Sequence, residues 1–122
     1  MYGVYVGNAP GTTIRKNKIH SLSSTSTSST IEGVEYFGAS GVAMTVSIYN
    51  NFIALDAAAT TDGATIRGID YYGWAANTAD IDFNSIYIGG TGVTGGSTSA
   101  LAKRDAATTF NMRDNIAFNA RA

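Results

Sequence analysis

The chain has 122 residues, with no Cys and one His, which excludes a disulfide scaffold, a Cys-based zinc site and thiol catalysis. Only 14% of the residues are charged and the net charge is −1, so the chain lacks the basic excess typical of nucleic-acid binding. The 14 Gly and the single Pro, with few strong helix formers, favour short strands joined by tight turns. No apolar run approaches the roughly 20 residues of a membrane helix, so no membrane insertion is expected.

The first predicted strand follows Gly3, and similar strands follow Gly33 and Gly68, while Ala100 takes the place of Gly in the fourth unit. Each strand start lies 14 to 18 residues before an asparagine in the stretches TTIRKNKI, VSIYNNFI, ADIDFNSI and FNMRDNIA. These asparagines, at intervals of 34, 33 and 31 residues, are Asn17, Asn51, Asn84 and Asn115. A repeat of this period predicts a solenoid.

Each repeated Asn is expected to mark a corner of the chain. In the second unit, Ile48 lies three residues before Asn51 and Ile53 lies two residues after it. One continuous strand would place two residues at this odd spacing on opposite faces. Since both are apolar and expected to point inward, the alternation must break near the Asn. Asn suits a corner because it tolerates the left-handed conformation and bonds to local backbone.

The predicted fold class is therefore all-β: a parallel β-helix (solenoid) of about four coils of roughly 33 residues, with three short strands per coil. Residues 1–122 form a single domain, with coils at approximately 1–32, 33–67, 68–98 and 99–122. The inward columns are predicted to be Val4, Val34, Ile69 and Leu101; Ile14, Ile48, Ile81 and Met112; and Ile19, Ile53, Ile86 and Ala117. The stacked asparagines are expected to bond amide to amide as a structural ladder.

The stretches GVEYFG and VSIYNNFIAL resemble the right-handed parallel β-helix of the pectin-lyase-like superfamily. The stretches IYNNFIAL, FNSIYIGGTGVTGGSTSALAKR and NMRDNIAFNARA also resemble repeats of very large secreted bacterial surface proteins. The resemblance implies the fold and an extracellular or cell-surface location. It does not choose between polysaccharide lyases, glycoside hydrolases, adhesins and passive stalks, because fold alone does not determine function.

Two pairs of carboxylates are spaced so that they could act together. Asp80 and Asp82 lie two residues apart on one predicted strand, hence on one face and about 7 Å apart. Glu35 and Asp70 take equivalent outward positions on adjacent coils, about 5 Å apart. Either pair could form a catalytic dyad or a calcium site, but the favoured interpretation is solvated charges on outward faces. Arg113 is the expected ion-pair partner of Asp82.

Outward aromatic rings are a further candidate feature, because sugars stack on such rings. The equal alternative is that these rings pack against neighbouring chains or favour strand structure. Together with the carboxylates they define a candidate glycan- or calcium-binding face, which consists of Glu35, Asp70, Asp80, Asp82, Tyr49 and Tyr72. No catalytic residue, resident metal or cofactor is predicted, because no hydrolase or lyase motif can be matched residue by residue. The chain is therefore expected not to be an enzyme.

The ends of the predicted solenoid carry no obvious cap, neither an amphipathic helix nor a run of charge. Open sheet edges invite pairing with another chain. The expected function is therefore a non-catalytic extracellular structural solenoid, stacking head to tail as a filament subunit or a stalk segment of a bacterial surface protein. Its expected partners are copies of itself or adjoining repeats of a longer chain. The alternative is a glycan-binding or polysaccharide-cleaving β-helix, with polysaccharide as its partner.

Overall fold

The computed structural model describes residues 1–24, 26, 28–56, 64–90, 96–104 and 109–121. Among those residues there are twelve strands and no helix, and hence no helix that could cross a membrane. The strands are β1 (Tyr2–Gly7), β2 (Thr12–Arg15), β3 (Lys18–His20), β4 (Thr30–Phe37), β5 (Thr45–Tyr49), β6 (Phe52–Asp56), β7 (Thr65–Tyr72), β8 (Thr78–Asp82), β9 (Ser85–Gly89), β10 (Thr98–Lys103), β11 (Thr109–Arg113) and β12 (Ile116–Asn119).

The strands form three four-stranded parallel sheets, which makes the chain a parallel β-solenoid. The first sheet has the order β1-β4-β7-β10, the second β2-β5-β8-β11 and the third β3-β6-β9-β12. The prediction of three strands per coil of about 33 residues is confirmed. The chain returns to the first sheet at β4, β7 and β10, so it closes about three turns rather than the four expected. The fourth layer consists of β10, β11 and β12, and no described strand after it returns to the first sheet.

The core lies between the three sheets, and the predicted inward columns are the observed ones. Val34 pairs with Ile69, Ile48 with Ile81, and Ile53 with Ile86, and all six side chains are buried. An additional stacked pair, Tyr36 and Tyr71, lies in the same core with ring centroids 5.7 Å apart. Each strand thus packs its apolar residues on their equivalents in the next layer.

The predicted turns between the third and first strands fall partly outside the described residues. From the sequence, the turn that follows each asparagine stretch is predicted at 21–30, 56–63 and 89–98. In the first of them, Leu22 packs against the core. Residues 57–63 and 91–95 lie outside the described part of the chain.

The Gly at each strand start breaks the alternation of faces in the first sheet. The residue pairs of β4 and β7 leave out Gly33 and Gly68, and Ile31 and Val34, at an odd spacing across Gly33, both belong to the core. A Cβ at Gly33 would lie 2.5 Å from the Gly68 carbonyl oxygen and 2.5 Å from Cγ2 of Ile53. Only Gly therefore fits between the two layers at this position.

Replacing Gly33 by Ala is expected to lower the unfolding free energy by about 1–3 kcal/mol, because the added methyl group meets backbone of the next layer. Urea unfolding followed by circular dichroism measures this loss. Gly7→Ala is the matched control, since the three atoms nearest to its Cβ would all belong to the side chain of Tyr5, with the hydroxyl oxygen at 3.0 Å. Equal losses in the two variants would contradict the packing argument.

Candidate functional site

The repeated asparagines form a continuous hydrogen-bond ladder at the corner between the second and third sheets. Nδ2 of Asn17, Asn51 and Asn84 each donates to Oδ1 of the next ladder residue at 2.9 Å, ending at Asn115. The same Oδ1 atoms accept the backbone N–H of the preceding ladder residue. Asn51 and Asn84 are buried, and Nδ2 of each also donates to an Ile carbonyl of the layer before. The expected amide ladder is confirmed.

The left-handed residue of each corner lies one position before the ladder asparagine. The φ angles are 57° at Lys16, 54° at Asn50, 55° at Phe83 and 52° at Asp114. The expectation that the ladder Asn itself needs the left-handed conformation is therefore wrong. The ladder position needs an amide because strand pairing leaves backbone N–H and C=O groups of two layers without partners at the corner. The amide oxygen accepts from such an N–H, and the amide nitrogen donates to such carbonyls.

Three acidic side chains meet on the outer side of the first sheet. Glu32 and Glu35 come from β4 and Asp70 from β7, and one carboxylate oxygen of each lies within 4.8 Å of the others. In a regular strand the odd spacing of Glu32 and Glu35 would place them on opposite faces. The break at Gly33 instead puts both on the side away from the core.

Two arginines bind these carboxylates. Arg67 Nη1 lies 2.7 Å from Glu32 Oε1 and 3.1 Å from Asp70 Oδ2. Arg104, just after β10, places Nη2 2.8 Å from Glu35 Oε1 and Nε 2.7 Å from Asp70 Oδ2. These five residues are called the charge cluster below. Its three carboxylates and two guanidinium groups leave one net negative charge when all are ionised.

The acidic members of the charge cluster are withdrawn from solvent. Their exposed fractions are 2% for Glu32, 5% for Glu35 and 0% for Asp70. Oε2 of Glu32 and Oε2 of Glu35 accept no hydrogen bond within the described residues. Burial, followed by the neighbouring Asp70, raises the pKa of Glu32 from 4.5 to about 7. The cluster can therefore hold a proton or a cation among its carboxylates, while its burial keeps large substrates away.

Glu35 and Asp70 are neighbours, as predicted, because they are paired in the β4/β7 register. The expectation that they are solvated is wrong. Tyr2 and Tyr5 of β1 pair with Glu32 and Glu35 in the register of the first sheet, and their rings lie 5.2 Å apart over this neighbouring layer. The two arginines thus bind the carboxylates, and the aromatic pair lies beside them in the neighbouring layer.

Asp80 and Asp82 lie on the outer face of β8, where the sequence placed them. Arg113 binds Asp82 through two contacts, Nη2 to Oδ2 at 2.9 Å and Nε to Oδ1 at 3.2 Å, so the predicted ion pair is confirmed. Asp80 accepts a hydrogen bond from Asn111 Nδ2 at 2.8 Å. These carboxylates therefore have partners of their own and belong to the second sheet, away from the charge cluster on the first.

The two predicted sugar-stacking rings also lie on different sheets. Tyr49 is half-buried on β5 and is paired in register with Asp82. Tyr72, on β7, stacks on Phe37 with centroids 4.9 Å apart, and the Arg104 guanidinium carbon lies 5.2 Å from its centroid. The structure thus divides the six residues of the candidate glycan- or calcium-binding face between two sheets.

Sequence reasoning missed Glu32, Arg67 and Arg104 as members of a site. The available signal was the repeated spacing, since Arg67 and Asp70 flank Gly68 as Glu32 and Glu35 flank Gly33. The break in alternation that was recognised at the Asn corner also occurs at these glycines. Arg104 could not be found in this way, because it lies beyond the end of β10 and joins the cluster only through the stacking of layers.

The fourth layer leaves one end of the core open. Met112 is 52% exposed, whereas its equivalent Ile81 in the third layer is 0% exposed. The recess at this end has a volume of about 190 Å³ and is lined by Leu101, Met112, Arg113, Asp114, Asn115 and Ala117. At the opposite end Ile14 and Ile19 are buried. Among the described strands, both ends have free sheet edges, as expected, but the fourth-layer end exposes much more of the core.

The ladder is also incomplete at both of its ends. Within the described residues, the Asn115 N–H donates to no acceptor and Asn17 Oδ1 accepts no hydrogen bond. Every internal step of the ladder makes both of these bonds. The two ends are therefore complementary in hydrogen-bonding capacity.

Comparisons of the chain with protein-family models, with curated proteins and with solved structures give no match. The class defined by the observed architecture is a parallel β-solenoid repeat protein with a buried asparagine ladder.

Asn84→Ala is expected to cost at least about 2 kcal/mol more unfolding free energy than Asn17→Ala. Loss of the Asn84 side chain strands the Asn51 N–H in the interior and removes one of the three acceptors of Asn51 Nδ2, whereas Asn17 Oδ1 accepts nothing within the described residues. Parallel chemical denaturation of the two variants measures the difference. If both variants lose equal stability, the ladder contributes no more at its centre than at its end.

Stability measured with a chelator present is expected to fall as pH rises from about 5.5 to 7.5. The folded state binds a proton on Glu32 up to about pH 7, whereas the unfolded state releases it near its ordinary pKa, so the slope is negative by up to about 1.4 kcal/mol per pH unit. Urea unfolding across this range tests the expectation.

Two variants isolate the contribution of Glu32 to this slope. Glu32→Gln keeps the shape of the side chain and should remove the negative slope. Asp80→Asn, which changes a more exposed carboxylate on the second sheet, should leave the slope as it is in the wild type. A slope that survives in Glu32→Gln would assign the titration to another group.

Proposed function

We propose that this chain is a non-catalytic structural solenoid unit that stacks end to end, either with copies of itself or with adjoining repeats of a longer chain. The observation that carries the proposal is the open apolar end of the fourth layer. Leu101, Met112 and Ala117 there continue the three inward columns, and the described part of the chain contains no further layer that packs on them. Covering such a surface with a coil of the same design buries apolar area and pairs free sheet edges.

The asparagine ladder also favours the docking of a following coil on the fourth layer. A following coil with Asn17 in the ladder position would place an Oδ1 acceptor against the free N–H and the Nδ2 of Asn115. Each internal layer already uses this geometry, with N–O distances of 2.9 to 3.1 Å. A contact that joins two different ends of the same unit repeats without closing, so it produces a filament or a stalk rather than a closed dimer.

Ala100 limits how closely a following coil can approach the first sheet. In the three layers before it this position is Gly3, Gly33 and Gly68, and a Cβ on each would lie 2.5 to 2.6 Å from the carbonyl oxygen of the next layer. Ala100 carries this Cβ, so a coil docking in unchanged register meets it. Stacking is therefore expected to rest mainly on β11 and β12 and to be weaker than the internal layers.

The proposed function includes an extracellular or cell-surface location and a relationship to two known groups of β-helical proteins. Repeats such as FNSIYIGGTGVTGGSTSALAKR resemble those of large secreted bacterial surface proteins, and GVEYFG with VSIYNNFIAL resembles the pectin-lyase-like superfamily. An extracellular or cell-surface stalk is consistent with both resemblances and with a solenoid. No family model supports either resemblance, so both stand as part of the proposal.

The alternative function, glycan binding or cleavage, is favoured by a different observation. Tyr87 and Phe118 stack with centroids 6.0 Å apart on the outer face of the third sheet, and they are 45% and 59% exposed. Such rings can receive a sugar. Cleavage needs two accessible carboxylates. Glu35 and Asp70 are buried, and in the other candidate pair Arg113 binds both oxygens of Asp82. Release of reducing or unsaturated ends from a panel of polysaccharides would favour this alternative over stacking.

Ala100→Gly is expected to strengthen self-association by about tenfold or more, because it removes the methyl group that meets the following layer. Met112→Lys should abolish association, since docking would bury an unpaired charge in the recess. Sedimentation over a range of protein concentrations, together with electron micrographs, measures both effects.

Ser47→Lys is the matched control for the charge change. It adds the same charge to the outer face of β5 in an interior layer, so association should stay at the wild-type level. If the wild type and Ala100→Gly are both compact monomers at high concentration, the proposal that copies of this chain stack end to end is wrong.

A further inference from the structure

The charge cluster contains acceptor capacity that the chain itself does not use. Arg67 and Arg104 occupy the Oε1 atoms of Glu32 and Glu35, and the buried Oε2 atoms of both remain without a donor. Unpaired carboxylate oxygens are costly when withdrawn from water. Two of them in one cluster, on side chains that are 2% and 5% exposed, indicate a group that the chain alone does not supply.

The donor set restricts the chemistry of that group. All three acidic residues offer oxygen, and the cluster contains no His or Cys, which favours a hard cation over zinc or copper. Opposite ligands on Ca²⁺ lie about 4.6 to 5.2 Å apart. Since the three oxygens lie within 4.8 Å of one another, one point lies within about 2.8 Å of all three, which is close to the 2.3–2.6 Å of Ca²⁺–oxygen bonds.

The charge balance points to a cation as well. With both arginines bound, the fully ionised cluster retains one negative charge in a buried position. We propose that Glu32, Glu35 and Asp70 bind one hard divalent cation of the Ca²⁺ type, which bridges β4 and β7 from the side opposite the core. Arg67 and Arg104 bind both oxygens of Asp70 and the Oε1 atoms of Glu32 and Glu35, and they leave the Oε2 atoms of the two glutamates for the ion.

The bound ion has a structural role rather than a catalytic one. Tyr2 and Tyr5 lie over the neighbouring layer, and the three carboxylates are almost fully buried, so the cation is not presented to a large substrate. Its effect is to join adjacent turns on the outside of the sheet, as the aliphatic columns join them on the inside. This role is independent of end-to-end stacking, because the ion lies between β4 and β7, whereas stacking uses the open end of the fourth layer.

The test uses Ca²⁺ and Tb³⁺ as probes on the full chain after treatment with a chelator that is then removed. Added CaCl₂ should raise the unfolding temperature by several degrees and saturate, because an ion that binds only the folded state stabilises it. Tb³⁺ should give luminescence sensitised by Tyr2, which lies close enough to Glu35 for that charge to raise its pKa. The signal should saturate at one ion per chain and be displaced by Ca²⁺.

Glu35→Gln is expected to weaken Ca²⁺ binding by at least about tenfold, since it removes one charged ligand. Asp80→Asn, on the second sheet, is the control and should bind as the wild type does. An unchanged unfolding temperature and no Tb³⁺ signal in the wild type would overturn the proposal and leave a proton as the occupant of the cluster. Equal loss of binding in Asp80→Asn would overturn it in favour of a surface site.

Discussion

The whole structure depends on one constraint: each residue of a layer lies directly over its equivalent in the next layer, about 4.8 Å away. A residue type that suits one layer therefore suits all of them. Ile48 stacks on Ile81, and Tyr36 stacks on Tyr71 with rings only 4° from parallel. The ladder asparagines follow the same rule, because each Nδ2 donates to the Oδ1 of the equivalent Asn in the next layer.

The same constraint produces the charge cluster. The layers approach so closely at Gly33 and Gly68 that a Cβ would meet a carbonyl oxygen of the next layer. The glycine also breaks the alternation of faces, which puts Glu32 beside Glu35 on the outer side. The glycine that packing requires thereby brings three carboxylates together. Arg67 and Arg104, from other parts of the chain, are needed to balance their charge.

The open end shows two opposing features of the repeat. Leu101, Met112 and Ala117 continue the inward columns and present an apolar surface to whatever follows. Ala100 departs from the glycine pattern and places a methyl group where a following layer would approach. An edge that is apolar in the middle but blocked on one sheet suits a contact weaker than the internal ones.

Much of the fold could be predicted from the sequence, because the spacing of Ile48, Asn51 and Ile53 requires a corner and the period requires stacked coils. The ladder and the Asp82–Arg113 pair followed from the same register. The position of the left-handed residue did not, because Asn50 and Asn51 are adjacent and the pattern alone does not say which one turns the chain.

The sequence by itself determined the repeat, the three inward columns and the ladder, since these depend on local spacing that every layer shares. Only the tertiary structure decided that Glu35 and Asp70 are buried, that Glu32 joins them, and that one end of the core is more open than the other. Each of these depends on contacts between residues far apart in the chain, such as Arg104 with Glu35. Burial is a property of the stacked layers and not of any single one, so no repeat considered alone reveals it.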